Sequence, residues 1–154
     1  MDTRNQWKYH VFLCFRGEDT RKSFTDHLFT TLKQKGVFAF RDDKKLEKRK
    51  PISPELSKAI EEFAIVILSK NYASSTWCLD KLVKIMKCSK KMVLIVLPIF
   101  YAVDPSVVRK QTGTYAQAFD EHEIRFQENI EKVHTWRNAL KDVANISGWS
   151  LQDR

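Results

Sequence analysis

Two unbroken apolar runs, F-A-I-V-I-L at 63–68 and M-V-L-I-V-L-P-I-F at 92–100, constrain this chain more than any other feature. Each is far shorter than the ~20 apolar residues of a membrane span. Each is also too evenly apolar for a strand with one wet face, and therefore fits the interior of a parallel sheet covered by helices. The flanking sequence agrees. Y-H-V-F-L-C-F at 9–15 and V-F-A-F-R at 37–41 read as two more strands. Between the strands, apolar residues recur at helical steps. Phe24, Leu28 and Leu32 form one such series, stopped by Gly36, and Leu56, Ala59 and Ile60 form another behind a Ser53 cap with Pro54 in its first turn. Leu79, Leu82, Val83 and Ile85 follow Trp77, with the serines at 74–75 as candidate caps; Val133, Trp136, Leu140 and Val143 mark the last helix, closed by Ser147-Gly148. V-D-P-S at 103–106 starts a turn, and Q-T-G-T-Y-A-Q-A-F leads into a further helix. The alternation predicts an α/β fold with a parallel sheet and helices on both faces. A fifth strand is sought near 124–132, where the sequence is too polar to define one.

In such a sheet ligands bind beyond the carboxyl ends of the strands, here 15–20, 42–52, 69–77 and 99–106. Phe15, Arg16 and Gly17 leave the first strand at that end. Glycine permits close backbone approach, and arginine offers a forked donor to an anion; the plainer reading is a turn capped by Asp19 or Thr20. Trp77 and Lys81 stand four residues apart and share a helix face. The chain contains no G-x-G-x-x-G, no G-x-x-x-x-G-K-[ST] and no G-x-S-x-G, which speaks against the usual dinucleotide, P-loop and hydrolase loops. His10, His27, His122 and His134 lack H-E-x-x-H spacing. Cys14, Cys78 and Cys88 form no C-x-x-C pair. Neither a metal site nor a disulfide framework is expected, and a cytoplasmic, reducing compartment is. The N-terminus is polar and carries no signal peptide pattern. A formal net charge of +8 raises nucleic acid as a partner, against the simpler reading of solubility and partner tuning.

An ordered series of motifs then narrows the field: F-L-C-F-R-G-E-D-T-R, F-R-D-D, A-I-E-E, V-I-L-S-K-N-Y-A-S-S-T-W-C-L-D, P-I-F-Y-A-V-D-P-S-V-V-R-K-Q-T-G and W-R-N-A-L. Together they resemble a plant TIR (Toll/interleukin-receptor/resistance) domain of the kind found at the N-terminus of intracellular NB-LRR disease-resistance proteins. The resemblance implies a flavodoxin-like three-layer sandwich with a five-stranded parallel sheet. It places the domain at 9–149, between an N-terminal tail at 1–8 and a C-terminal tail at 150–154. It also implies an excised, TIR-only or truncated protein in the cytoplasm, with the nucleus as a further compartment and no membrane association. The expected partners are other TIR domains, met through one surface built from the first and last helices and a second built from the last two. His27 matches the histidine of the first surface, preceded here by Asp26. Trp136, on the last helix, is carried as an interface candidate although its spacing suits the core better.

The resemblance further implies NAD+ glycohydrolase activity, with NAD+ as substrate or ligand and no required cofactor. The pocket residues carried over are Phe15, Arg16, Gly17, Ser75 and Trp77, gated by the 42–52 loop. Here the chain departs from the family pattern. The catalytic glutamate belongs directly after W-C-L-D, and Lys81 occupies that position. Glycosidic cleavage passes through a cation-like ribosyl transition state that a carboxylate stabilises. At ~4 Å and an effective dielectric of ~20 a charge pair is worth about 4 kcal/mol, so reversing the sign swings the barrier by up to roughly twice that. Asp80 is adjacent but turned ~100° around the helix. Two more departures alter the pocket mouth. Glu62 abuts Phe63 where relatives carry two extra residues, and Lys48-Arg49-Lys50 replace a loop glycine. The expectation is a TIR signalling module with weak or absent NAD+ cleavage. The alternatives are an active hydrolase using another carboxylate, and a nucleic-acid-binding module using Lys81, Lys84, Lys87, Lys90 and Lys91.

Overall fold

A computed structural model describes residues 11–16, 24–35, 39–41, 63–91 and 94–151. The sheet is built from β1 (Val11–Cys14), β2 (Ala39–Arg41), β3 (Phe63–Leu68), β4 (Ile95–Tyr101) and β5 (Trp149–Leu151). All four pairings are parallel, in the order β2-β1-β3-β4-β5. The order reverses direction between β1 and β3, which makes the cleft beyond their carboxyl ends the topological switch point of a flavodoxin-like sheet. The helices are α1 (Asp26–Gln34), α2 (Thr76–Lys91), α3 (Pro105–Lys110), α4 (Gly113–Arg125) and α5 (Ile130–Ala144). Gly17, Gly36, the 42–52 loop and the helix expected behind Ser53 lie outside the described residues.

Strand period explains the two-sided core. Successive residues of a strand point to opposite faces. On β3, Ala64, Val66 and Leu68 face a cluster shared with Leu79, Leu82 and Ile85 of α2, Phe119 of α4, and Trp136 and Leu140 of α5. Ile65 and Ile67 face the other way, onto a smaller cluster where Phe24, Leu28 and Leu32 pack. Phe24 stacks on Tyr101 with ring centroids 5.3 Å apart. The fully apolar third and fourth runs are therefore the paired, covered strands β3 and β4, as their composition predicted.

Two expectations need correction. The fifth strand is not at 124–132: that stretch holds the end of α4, a 3-10 turn at Gln127–Asn129 and the start of α5. It is Trp149–Leu151, pairing Ile99 with Trp149 and Tyr101 with Leu151. It straddles position 149, where the sequence reading ended the domain. Second, Gly148 does not close the last helix, which ends at Ala144. Any Cβ on Gly148 would run into the Pro98 carbonyl, so glycine is what lets β5 approach β4. The V-D-P-S turn resolves into a capped helix: the Asp104 carboxylate accepts from Ser106 N at 2.8 Å and Ser106 Oγ at 2.7 Å, with proline opening α3.

Candidate functional site at the switch point

The segment from Ser69 to Lys81 delivers the candidate site. β3 ends at Leu68, a 3-10 turn at Tyr72–Ser74 redirects the chain, and α2 begins at Thr76. Ser75 is extended and caps α2: its Oγ accepts from Cys78 N at 3.1 Å, and its carbonyl from Leu79 N at 3.0 Å. The capping role expected of the serine pair thus falls to Ser75, the same residue carried over as a pocket wall.

Buried polar contacts weld the end of β1 to this segment. Tyr72 is fully buried, and its hydroxyl donates to the Cys78 carbonyl at 3.2 Å. That commits the phenolic proton, so the Cys14 thiol 3.0 Å away donates to the Tyr72 oxygen. The Cys78 thiol in turn donates to the Phe15 carbonyl at 3.5 Å. Burial, with Cys14 and Cys78 alongside, pushes Tyr72 well above the ordinary phenol range, so it remains neutral. From the other side, α4 holds three carbonyls of the same turn. Thr114 Oγ1 donates to Lys70 O at 2.7 Å, Tyr115 OH donates to Ser69 O at 2.7 Å, and His122 Nε2 lies 2.8 Å from Ala73 O.

On this rigid frame Trp77 is half-buried and Lys81 is 1% exposed. The Lys81 ammonium lies 3.8 Å from the centroid of the Trp77 ring, the cation–π arrangement that their i, i+4 spacing permits. Burial lowers the Lys81 pKa to about 7, opposed only in part by Cys14, which raises it. Asp80 points elsewhere. Its Oδ1 accepts from Trp136 Nε1 at 2.9 Å, across the α2–α5 contact. No other residue of α2 is acidic.

The remaining expectations sort plainly. Phe15 is buried and Arg16 half-buried at the carboxyl end of β1, beside the Ser75–Trp77 segment. Asp26 opens α1 half-buried and His27 is exposed. Trp136 is a correction: at 1% exposure, with its indole N–H committed to Asp80, it is core and not interface. Of the basic cluster, Lys81 is buried and Lys90 pairs with Asp142 at 3.2 Å. Tyr72, Thr114, Tyr115 and the His122 contact were missed in the sequence. Their partners are backbone carbonyls, and no side-chain pattern announces those. Among the described residues no group of side chains is arranged to hold a metal, and no helix is long and apolar enough to cross a membrane.

A family model for the TIR domain matches residues 8–154. The chain belongs to the TIR domain family. It is 53% identical over 146 residues to TMV resistance protein N of Nicotiana glutinosa, and 52% identical over 147 residues to disease resistance protein RPV1 of Vitis rotundifolia. Each match covers 94% of this chain but only 13% and 10% of those proteins, so the TIR domain corresponds to about a tenth of the relatives' length. In structure it is similar to the TIR domains of the activated Roq1 resistosome directly recognising the pathogen effector XopQ. That match has a TM-score of 0.83 and 56% identity over 94% of this chain and 89% of that one. The TIR fold and the resemblance to plant disease-resistance proteins are thereby shown.

Proposed function

We propose that this TIR domain is a signalling module of plant immunity that acts in the cytoplasm by associating with other TIR domains, and that it does not itself cleave NAD+ at an appreciable rate. The associative half is supported by its similarity to TIR domains that occur in a resistosome and by exposed His27 on α1.

The catalytic half is carried by one observation. At the position where family resemblance puts a catalytic carboxylate, Lys81 is buried with its ammonium against Trp77. A developing ribosyl cation is repelled by an ammonium, and a neutral amine lacks the full negative charge that a carboxylate supplies. The neighbouring carboxylate cannot substitute while Asp80 holds the Trp136 indole. The hydrolase alternative thus has no acid on α2 to use, and the nucleic-acid alternative has lost Lys81 and shares Lys90 with Asp142.

The test is a nicotinamide-release assay on the unmodified domain beside Lys81→Glu. The domain is expected to release nothing above background and the variant to gain turnover. Robust release by the unmodified protein overturns the proposal.

A further inference from the structure

Two exposed isoleucines stand at opposite edges of this sheet, one beside bases and the other beside acids. At the first edge, Lys84, Lys87 and Lys91 recur at steps of three and four and share one face of α2. Lys87 and Lys91 are exposed and Lys84 is half-buried. Lys90 beside them is held by Asp142, but no described acid pairs with Lys87 or Lys91. The helix dipole accounts for bases in the last turn, Lys90 and Lys91. It does not reach Lys84, and like charges at this spacing repel within the helix. Ile95 opens β4 shortly beyond Lys91 and is 61% exposed.

The second edge has the opposite sign. Within a chain of net charge +8, residues 120–131 hold five acids and one arginine. Asp120 and Glu121 are exposed one turn before Ile124 and share its face, and Ile124 is 70% exposed. Ile124 and Glu128 line one open pocket of about 400 Å³, and Ile130 and Glu131 beyond it are also exposed. Of the other charges here, Glu123 is spent on Arg137 at 2.6 Å, and Arg125 lies over the Phe126 ring. Topology keeps the two patches apart. α2 joins the parallel strands β3 and β4, so its last turn lies at the amino edge of the sheet. α4 lies along the carboxyl edge, where Thr114, Tyr115 and His122 hold the carbonyls of the turn after β3, and α5 starts from there.

We infer that the basic end of α2, with Ile95, docks head to tail onto the acidic α4–α5 corner around Ile124 of a second copy of this chain. The inference rests on the reading of the domain as an associating module, and it names a surface pair that leaves His27 and α1 unused. An apolar centre within a charged rim is the anatomy of a protein interface. Opposite charges steer the encounter and fix its register, whereas two basic ends or two acidic corners repel. Each copy carries one patch of each kind at opposite edges of the sheet. The contact is therefore heterologous, and it repeats into a ring or a filament.

The closing experiment is sedimentation velocity of the whole chain. Reversing the basic end (Lys87→Glu with Lys91→Glu) or the acidic corner (Asp120→Lys with Glu121→Lys) should each weaken assembly at least about tenfold. Reversing both in one chain should restore it, and the two singly reversed chains, monomeric apart, should assemble when mixed. Assembly unchanged by either reversal overturns the inference, as does a doubly reversed chain no better than the single ones. His27→Ala separates this claim from the function proposed above. Loss of assembly there, with both reversals silent, overturns the surface pair and leaves the associative function standing.

A second measurement needs no variant to fold. Assembly of the unmodified chain should weaken at least about tenfold between ~50 mM and ~500 mM salt, because the rim charges are screened. Assembly indifferent to salt overturns the inference. A chain that stays monomeric at low salt does the same, as does assembly that nuclease abolishes because nucleic acid bridges the copies.

Discussion

Replacing Lys81 by methionine should make this domain more stable in acid and less sensitive to pH. The reasoning is linkage. In the unfolded chain the amine has its ordinary pKa of 10.5, whereas in the folded protein it falls to about 7. Between those values the unfolded state binds more protons, so folding is penalised progressively as pH drops from above 10.5, and the penalty is complete below about 7. Every tenfold loss of proton affinity on folding corresponds to ~1.4 kcal/mol. The full cost is therefore on the order of 5 kcal/mol, of which about 2–3 kcal/mol should appear between about pH 9 and about pH 6. Methionine is unbranched, close in volume, and carries no proton to titrate. The offset between the two proteins contains packing differences as well, but its change with pH reports Lys81 alone. Urea unfolding of both proteins at a series of pH values gives that change. The stability advantage of Lys81→Met should shrink by about 2–3 kcal/mol from about pH 6 to about pH 9, or roughly 5–10 °C in Tm. A difference constant to within ~0.5 kcal/mol across the range would show that Lys81 titrates as a solvated lysine, and the burial argument would fail.

Other predictions concern the neighbours of this site and the outer surface. Asp80→Ala leaves the buried Trp136 indole N–H without its acceptor and should cost about 1–3 kcal/mol in urea unfolding. Asp80→Asn keeps an acceptor and should cost less; equal losses from the two would mean that the bond contributes nothing. His27→Ala, at an exposed position of α1, should change unfolding free energy by no more than ~0.5 kcal/mol. It should nevertheless weaken self-association in sedimentation velocity, and unchanged association would remove the α1 surface from the proposed mode of action.

The contrast between β3 and β5 shows why one strand could be read from sequence and the other could not. β3 announces itself because a strand covered on both faces must be apolar throughout, and Ala64 to Leu68 are all buried. β5 has three residues, an exposed tryptophan, and a serine at its centre. It is held in place by Gly148 fitting against Pro98, a close approach that leaves no periodic trace. The same division runs through the site. Ser75, Trp77 and Lys81 are local to one helix start, so spacing alone places them together. Cys14 meets Tyr72 from 58 residues away and Tyr115 meets Ser69 from 46, contacts that only the closed sheet creates.

Lys81 is where structure changes the physical argument most. Read from sequence, it is a full positive charge set against a cationic transition state, repelling it by several kcal/mol. In the folded domain the amine has a pKa of about 7 and is therefore close to half-neutral at neutral pH, so repulsion is only an intermittent part of the defect proposed above. What persists in both protonation states is the missing carboxylate and the volume occupied against Trp77. The variants separate these causes. Lys81→Met removes the charge but keeps the space filled, and should remain inactive. Lys81→Ala opens the space without supplying an acid, and should not cleave NAD+. Only Lys81→Glu, shorter and acidic, addresses both deficits. If Lys81→Met alone restored nicotinamide release, charge repulsion would be the whole defect, and the lost-carboxylate argument would be wrong.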